Sequence, residues 1–206
     1  MAFFVRLHSG PGTWVTSNVM VMTTSASVPA HSDADSDAAI AGGSVTDRLV
    51  EANTRYAAAF ADAGLDSRPA LRVAVVACMD ARLDVNAVLG LANGEAHTIR
   101  NAGGAVTDDV IRSLTISQRK LGTRGVVLVH HTGCGMETLT EEFRSELETE
   151  VGQRPAWAVE SFRDVDQDVR ASLRRVRTSP FLLHTDDVRG FVYDVKTGLL
   201  REIDPA

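Results

Sequence analysis

The chain has 206 residues, 44% of them hydrophobic and 23% charged, which is ordinary for a globular protein and excludes collagen-like, coiled-coil and wholly disordered chains. The formal net charge of -6 argues against a dedicated nucleic-acid-binding protein, and two cysteines are too few for a disulfide-rich secreted scaffold. No apolar run is long enough to span a bilayer, so we expect no membrane segment.

The first 44 residues differ in composition from the rest of the chain. Residues 23–44 consist mostly of serine, alanine, aspartate, threonine and glycine, which bury too little apolar surface to offset the entropy of ordering. We therefore expect residues 1–44 to be a disordered extension and residues 45–206 to form one compact domain. The early apolar cluster is too short for a signal peptide, so we expect a cytoplasmic protein.

Helices and strands alternate along the compact part. Helical spacing of apolar residues begins at Val45, with Gly64 as its stop, and the β-branched run from Leu71 to Ala77 predicts a buried parallel strand. The predicted helices cover 45–60, 107–122, 137–150 and 165–176, and the predicted strands cover 71–77, 96–100, 125–130, 191–195 and 199–203. This order predicts an α/β fold with a mostly parallel central β-sheet flanked by helices and a C-terminal hairpin.

Two cysteines and a histidine follow neighbouring strands of this predicted sheet. Cys78 comes just after the first strand, and His131 and Cys134 come just after the third. Because groups at the carboxyl ends of parallel strands meet in one crevice, these side chains can form a three-ligand zinc site with an open fourth position, the mark of a catalytic site. Inert packing of the thiols, a core histidine, and disulfide or redox chemistry remain the alternatives.

A charged pair lies beside the first cysteine. Asp80 and Arg82 follow Cys78 on the loop that leaves the strand, and a guanidinium can hold a carboxylate through two hydrogen bonds. A carboxylate held in this way stays ionised and can orient a hydroxide on the metal. The alternatives are a surface salt bridge of small value and a cap on the next helix.

Three sequence strings in this order resemble the β-class carbonic anhydrases, especially the short actinobacterial-type members. The strings are VVACMDAR, HTIRNAGG and VLVHHTGCGM, and the closing FVYDVKTGLLREI also fits, so that the resemblance runs from about Val45 to Ile203. It implies a carbonic anhydrase catalytic domain, a lyase that converts carbon dioxide to bicarbonate and a proton with a zinc-bound hydroxide. It also implies one Zn2+ per chain.

The resemblance assigns roles to individual residues. Cys78, His131 and Cys134 match the family's zinc ligands, with His130 as a less suitable neighbour of His131. Asp80 and Arg82 match its catalytic pair, and Asp80 is also a candidate metal ligand because in some members it moves onto the zinc in a closed, inactive state. Many members carry an acidic residue where this chain has Gly133, a departure that can tune metal affinity but removes no ligand.

Other features of the site stay open on the sequence alone. The loop of Asn101, Ala102 and Gly103 has either a substrate-site role or the simpler role of a strand-to-helix turn, and the proton shuttle is His97, His130 or buffer. The resemblance implies a homodimer or higher homo-oligomer in which the N-terminal helix embraces the partner, although that helix could equally pack on its own domain. The alternative functions are hydrolysis of carbonyl sulfide or carbon disulfide in the same fold, and non-catalytic zinc binding.

Overall fold

The computed structural model describes residues 44–204, and the chain divides into two units, Met1–Ala59 and Phe60–Ala206. Apart from Ser44, the extension that we expect to be disordered, residues 1–44, lies outside the described residues, so its disorder stays a prediction. Among the described residues, no helix combines the length and the apolar character needed to cross a bilayer.

The described part of the first unit is helix α1, Val45–Ala58. Ser44 and Asp47 form a capping box in which the Asp47 N–H donates to the Ser44 hydroxyl and the Ser44 N–H donates to the Asp47 carboxylate. The helix ends before the predicted stop at Gly64, because the Ala59 N–H bonds back to carbonyls of the last turn and tightens it. None of its residues is buried.

The second unit is built on a five-stranded sheet in the order β2-β1-β3-β4-β5. The first four strands are parallel, and β5 pairs antiparallel with β4, which confirms the predicted α/β class and the C-terminal hairpin. The strands are β1 (Val73–Cys78), β2 (Ala96–Asn101), β3 (Gly125–His131), β4 (Val188–Tyr193) and β5 (Leu200–Glu202). Strand β1 begins at Val73 rather than at the predicted Leu71 because Arg72 has a left-handed backbone, with φ of 54°, which interrupts extended structure.

Four helices accompany the sheet: α2 (Val85–Leu89), α3 (Asp108–Leu121), α4 (Glu142–Val151) and α5 (Val165–Arg177). Helix α3 has the predicted caps, with Thr107 accepting from the Val110 N–H and Gly122 in the left-handed conformation. Helix α4 starts later than the predicted Glu137, because Gly135–Glu137 forms a 3-10 turn directly after Cys134.

The core has two layers, one on each face of the sheet. Alternate residues of β1 point to opposite faces, so Val76 packs in the layer that includes Leu114 of α3 and Leu173 of α5. Val75 packs in the other layer, which includes Leu83 and Cys78. Burial of β1 on both faces explains its nearly continuous apolar sequence, and the strand places Cys78 firmly at its carboxyl end.

Candidate metal centre

The carboxyl ends of β1 and β3 bring Cys78, His131 and Cys134 together. The strands are parallel neighbours, and their ligand atoms all lie within 4.8 Å of one another although Cys78 and Cys134 are 56 residues apart. All three side chains are buried. The sequence therefore predicted correctly which three residues meet, and His131 rather than His130 joins the cluster.

The spacing of the two sulfur atoms fits a shared metal ion rather than a disulfide. Both thiols are free, and their Sγ atoms lie 3.9 Å apart, nearly twice the length of a sulfur–sulfur bond. Two sulfurs bound to one tetrahedral zinc at the usual bond length would lie roughly 3.8 Å apart. The donor set therefore matches zinc in both chemistry and distance.

The His131 ring has one nitrogen ready for a metal. Its Nδ1 lies 3.1 Å from the Thr132 carbonyl oxygen, and because a carbonyl only accepts, Nδ1 carries the proton. The Nε2 atom is buried and has no hydrogen-bond partner within the part of the chain that the structure describes. Its lone pair lies within 4.8 Å of both sulfur atoms, so the ring can bind a cation that the two sulfurs also bind.

The pKa values of the two cysteine thiols are shifted in opposite directions. Burial tends to raise the pKa of the Cys78 thiol, but the His131 ring and the backbone N–H groups of Asp80 and Gly103 lower this pKa to about 7. Burial and the nearby Cys78 sulfur raise the pKa of Cys134. A divalent cation would stabilise both thiolates at once, since metal binding and loss of the thiol protons are coupled.

Asp80 and Arg82 form the predicted pair at the rim of the cluster. The Arg82 Nε and Nη2 atoms donate to Asp80 Oδ1 and Oδ2 at 2.9 and 2.7 Å. These hydrogen bonds hold the pKa of the Asp80 carboxyl well below its usual range. Asp80 Oδ2 lies 3.6 Å from His131 Nε2 but outside the group of three metal donors, so its role as a metal ligand stays a prediction.

Gly133 is held by the same guanidinium. Its φ of 62° is left-handed, and its carbonyl oxygen accepts from Arg82 Nη2 at 3.1 Å. A glycine therefore suits the backbone at this departure from the family pattern, and its carbonyl is fixed to Arg82.

Arg100 is a residue of the site that sequence reasoning missed. It lies near the end of β2 and donates from Nε to the Cys78 carbonyl at 2.9 Å and from Nη2 to the Asp80 carbonyl at 2.8 Å. It thereby fixes the loop that carries one metal donor and the paired carboxylate. The only sequence signal was a cation inside the HTIRNAGG string, with nothing to show that its targets are backbone carbonyls.

The loop of Asn101, Ala102 and Gly103 supports the centre through its backbone. Asn101 accepts from the Met79 N–H through its carbonyl, and its side chain donates to the Ala105 carbonyl. The Gly103 N–H donates toward Cys78 and helps to lower the pKa of that thiol. These contacts favour the turn role for the loop, and its substrate role stays a prediction.

The two histidines considered as proton shuttles, His97 and His130, do not belong to the cluster of metal donors. His97 sits near the start of β2, at the opposite edge of the sheet, where its ring contacts Ser117 Oγ and the Ser67 carbonyl. His130 is completely buried, and its Nδ1 lies 3.1 Å from Asp168 Oδ2. His130 is closed off from solvent and His97 is only partly buried, so the identity of the proton shuttle stays a prediction.

Comparisons with known proteins agree with this geometry. The carbonic anhydrase family model matches residues 73–161. The chain is 53% identical over 162 residues to "Beta-carbonic anhydrase 1" of Mycobacterium tuberculosis strain H37Rv, covering 78% of this chain and 99% of that protein. A carbon disulfide hydrolase of Acidithiobacillus thiooxidans is 33% identical, covering 63% of this chain and 76% of that protein. The solved carbonic anhydrase of Streptococcus mutans has a TM-score of 0.74 and 42% identity, covering 79% of this chain and 99% of that one.

Proposed function

Because this chain belongs to the β-class carbonic anhydrases, we propose that the cluster at the carboxyl ends of β1 and β3 is its active site, with one zinc ion on Cys78, His131 and Cys134. The enzyme catalyses the reversible hydration of carbon dioxide to bicarbonate and a proton. The observation that carries the assignment of the site is the unpaired Nε2 of His131 within 4.8 Å of both thiol sulfurs.

The protein's own groups have separate tasks in this reaction. Bound zinc supplies a Lewis acid that makes water a nucleophile near neutral pH. Asp80 stays ionised because Arg82 donates one hydrogen bond to each of its oxygens. The remaining lone pairs of the carboxylate accept a hydrogen bond from the attacking water, which directs a lone pair of the water oxygen toward the substrate carbon. Arg82 holds Asp80 in this orientation through both carboxylate oxygens.

An apolar cavity suits a small substrate that carries no charge. A cavity of about 300 Å³ lies beside the Asn101–Gly103 loop, and its walls include Ala102, Met136, Phe143 and Trp157. Met136 is two residues beyond Cys134, so the cavity adjoins a loop of the metal centre. Carbon dioxide is linear and apolar, so apolar walls can hold it without forming hydrogen bonds to it.

The proposal is tested by metal analysis and stopped-flow carbon dioxide hydration on the same purified sample, with carbon disulfide hydrolysis measured beside it. We expect about one zinc per chain and turnover of carbon dioxide. Turnover of carbon disulfide alone would replace the proposed reaction with that of the hydrolase relatives. Zinc without either activity would leave only metal binding.

Two variants test the residue roles within this experiment. Asp80→Asn should keep its zinc and lose most hydration activity, whereas Asp109→Asn, which removes an exposed carboxylate on α3, should keep both. Cys134→Ser should lose zinc, and full zinc occupancy in that variant would refute the ligand assignment.

We also propose a homodimer in the cytoplasm. Val45, Leu49 and Val50 of α1 are each more than 60% exposed in the single chain, which is unusual for large apolar side chains on one helix. A second copy of the chain would cover them, and a cytosolic location would keep the two active-site thiols reduced. Light scattering of Leu49→Asp and of the unaltered protein tests the dimer. A dimer for the unaltered protein and a monomer for the variant would support it, whereas monomers in both would contradict it.

A further inference from the structure

A second cavity, of about 540 Å³, lies at the opposite edge of the sheet from the metal donors. Arg72 immediately precedes β1 and Arg124 immediately precedes β3, whereas the metal donors follow the carboxyl ends of these strands. A six-residue strand rises by about 3.3 Å per residue, so the two sites are separated by roughly 20 Å. The cavity is therefore independent of the active site.

The walls of this cavity are strongly basic. No aspartate or glutamate lines it, although acidic residues outnumber basic ones in the chain as a whole. Its cationic and histidine residues, which we call the basic cleft, are Arg68, Arg72, Arg119, Lys120, Arg124 and His184.

These cations lack carboxylate partners. Among residues 44–204, none of the five arginine and lysine side chains of the basic cleft belongs to an ion pair, whereas seven other arginines of that range do. Asp66 lies close enough to feel the charge of Arg68, but its carboxylate accepts hydrogen bonds from backbone and from Ser67 instead. Five neighbouring positive charges repel one another, and an anion between them would relieve that repulsion.

Buried polar side chains hold one wall of the basic cleft in place. Gln118 of α3 is buried, and its Nε2 donates to the His184 carbonyl at 2.8 Å. Its Oε1 accepts from the N–H groups of Leu183 and His184 at 2.8 and 3.0 Å. The loop that carries His184 is thus fixed to the helix that carries Arg119 and Lys120.

A second set of hydrogen bonds fixes other lining segments of the basic cleft. The His97 ring joins Ser117 Oγ of α3, at 2.8 Å, to the Ser67 carbonyl, at 3.1 Å. Ser117 Oγ also contacts the Thr123 hydroxyl at 2.7 Å. The segments that carry Arg68 and Arg124 are therefore tied to the same helix, and the walls are arranged before any ligand arrives.

Arg72, which also lines the basic cleft, occupies a strained backbone position. It is one of two residues other than glycine with positive φ among those the structure describes. Its N–H donates to the Pro69 carbonyl, and its own carbonyl accepts from the Arg124 N–H at 2.7 Å. A left-handed arginine costs on the order of 1–2 kcal/mol, and the turn uses it to set two guanidinium-bearing residues side by side.

We propose that the basic cleft binds a small polyanion that carries two or more phosphate groups. Guanidinium groups bind phosphate oxygens in pairs, and cations from separate segments match several charges rather than one. The volume falls in the range of small-molecule sites. No tryptophan, tyrosine or phenylalanine lines the cleft, so it lacks a stacking surface for a nucleobase and favours an inorganic or sugar polyphosphate.

Isothermal titration calorimetry of the zinc-loaded full chain with inorganic tripolyphosphate, in about 0.15 M salt, tests this proposal. We expect one binding event per chain that sodium sulfate at equal ionic strength does not reproduce. The double variant Arg72→Gln/Arg124→Gln should weaken binding at least tenfold. The control Arg112→Gln/Arg154→Gln removes two positive charges outside the cleft and should leave the affinity unchanged.

Because Arg72 is strained, a second variant guards against loss of folding. Arg68→Gln/Lys120→Gln alters two exposed side chains and should weaken binding to a similar degree. Every variant keeps the metal centre, so any contact of the probe with zinc is the same in all of them. Absence of binding, equal binding of sulfate, or equal loss in the control variant would overturn the proposal. None of these outcomes depends on hydration activity, so the active-site assignment stands or falls separately.

Discussion

The Arg82 guanidinium joins two loops of the proposed active site that are far apart in the sequence. Its Nη2 donates both to Asp80 Oδ2, at 2.7 Å, and to the Gly133 carbonyl, at 3.1 Å, although Gly133 is 51 residues further along. Arg82 therefore orients the Asp80 carboxylate and also fixes the turn between His131 and Cys134. A single side chain thus couples the proposed catalytic carboxylate to the geometry of the proposed metal donors.

We predict that Arg82→Lys retains zinc but loses activity. An ammonium group keeps the positive charge yet cannot donate to both Asp80 oxygens and to the Gly133 carbonyl in the fixed planar geometry of a guanidinium. Hydration should fall by roughly ten- to hundredfold, as for other side chains that support metal centres. Stopped-flow assays and zinc analysis check this, and full activity in Arg82→Lys would show that only the charge matters.

Gly104 offers a test of close packing around Cys78. Its φ is 69°, and a Cβ there would lie 3.0 Å from the Cys78 nitrogen and 3.1 Å from the Ala77 carbonyl carbon. Gly104→Ala should therefore destabilise the fold by about 1–2 kcal/mol for the backbone alone, with a further loss from the clash. Gly122→Ala is the matched control, because its φ is 77° and its Cβ would meet nothing within 4 Å.

The comparison of these two glycine variants separates strain from contact. Urea unfolding should show a larger loss for Gly104→Ala than for Gly122→Ala, and only Gly104→Ala should bind zinc more weakly. If both variants lose the same free energy of unfolding and keep their zinc affinity, the backbone beside Cys78 shifts to accommodate the added Cβ atom at no measurable cost.

The central elements of the fold follow from local sequence patterns. Strand β1 is a short run of β-branched residues buried on both faces, and α3 carries its own start and stop signals at Thr107 and Gly122. The three metal donors were identifiable because thiols and imidazoles after strand ends are chemically distinctive. These features depend on few neighbours, so pattern alone could predict them.

Other features depend on contacts that no local pattern encodes. Arg100 acts on backbone carbonyls, which are present at every residue and so leave no trace in the sequence. Strand β1 starts two residues later than predicted because Arg72 adopts a left-handed backbone that its residue type disfavours. Helix α2 has only five residues, too few for a helical period to show.

Arg100 should act as a positioning residue for the metal loop. Arg100→Leu leaves the Cys78 and Asp80 carbonyls without their side-chain donor, so the loop that carries the Cys78 thiol becomes less ordered. Zinc affinity should fall by roughly ten- to hundredfold, measured by competition with a chelator of known strength. Arg112→Leu, on the exposed face of α3, is the control and should bind zinc like the unaltered protein.

Partial rescue would distinguish positioning from bulk packing at Arg100. Arg100→Lys restores one donor and should recover part of the zinc affinity, whereas a purely apolar contribution of the side chain would make the lysine and leucine variants alike. Zinc affinity equal to that of the unaltered protein in both variants would contradict the role assigned to Arg100.

Asp166 and Arg201 give the fold a measurable dependence on pH. Arg201 donates to both carboxylate oxygens of Asp166, at 2.7 and 3.0 Å, and links β5 to the first turn of α5. These hydrogen bonds lower the pKa of Asp166 below its usual value in spite of some burial. Because the pKa is lower in the folded chain, the stabilisation is complete above the unfolded value of about 3.9 and is lost as the pH falls through the folded value.

Asp166→Asn should therefore cost more stability at neutral pH than in acid. The difference in free energy of unfolding between the unaltered protein and the variant should shrink as the pH falls below about 4, because the carboxylate is then protonated in both states. Urea unfolding of zinc-free protein at each pH keeps metal release out of the measurement. Asp109→Asn removes an exposed carboxylate that contacts Arg112 and should change stability little at any pH. A difference for Asp166→Asn that stays constant from neutral to acid pH would mean that the Arg201 contact does not favour the ionised carboxylate.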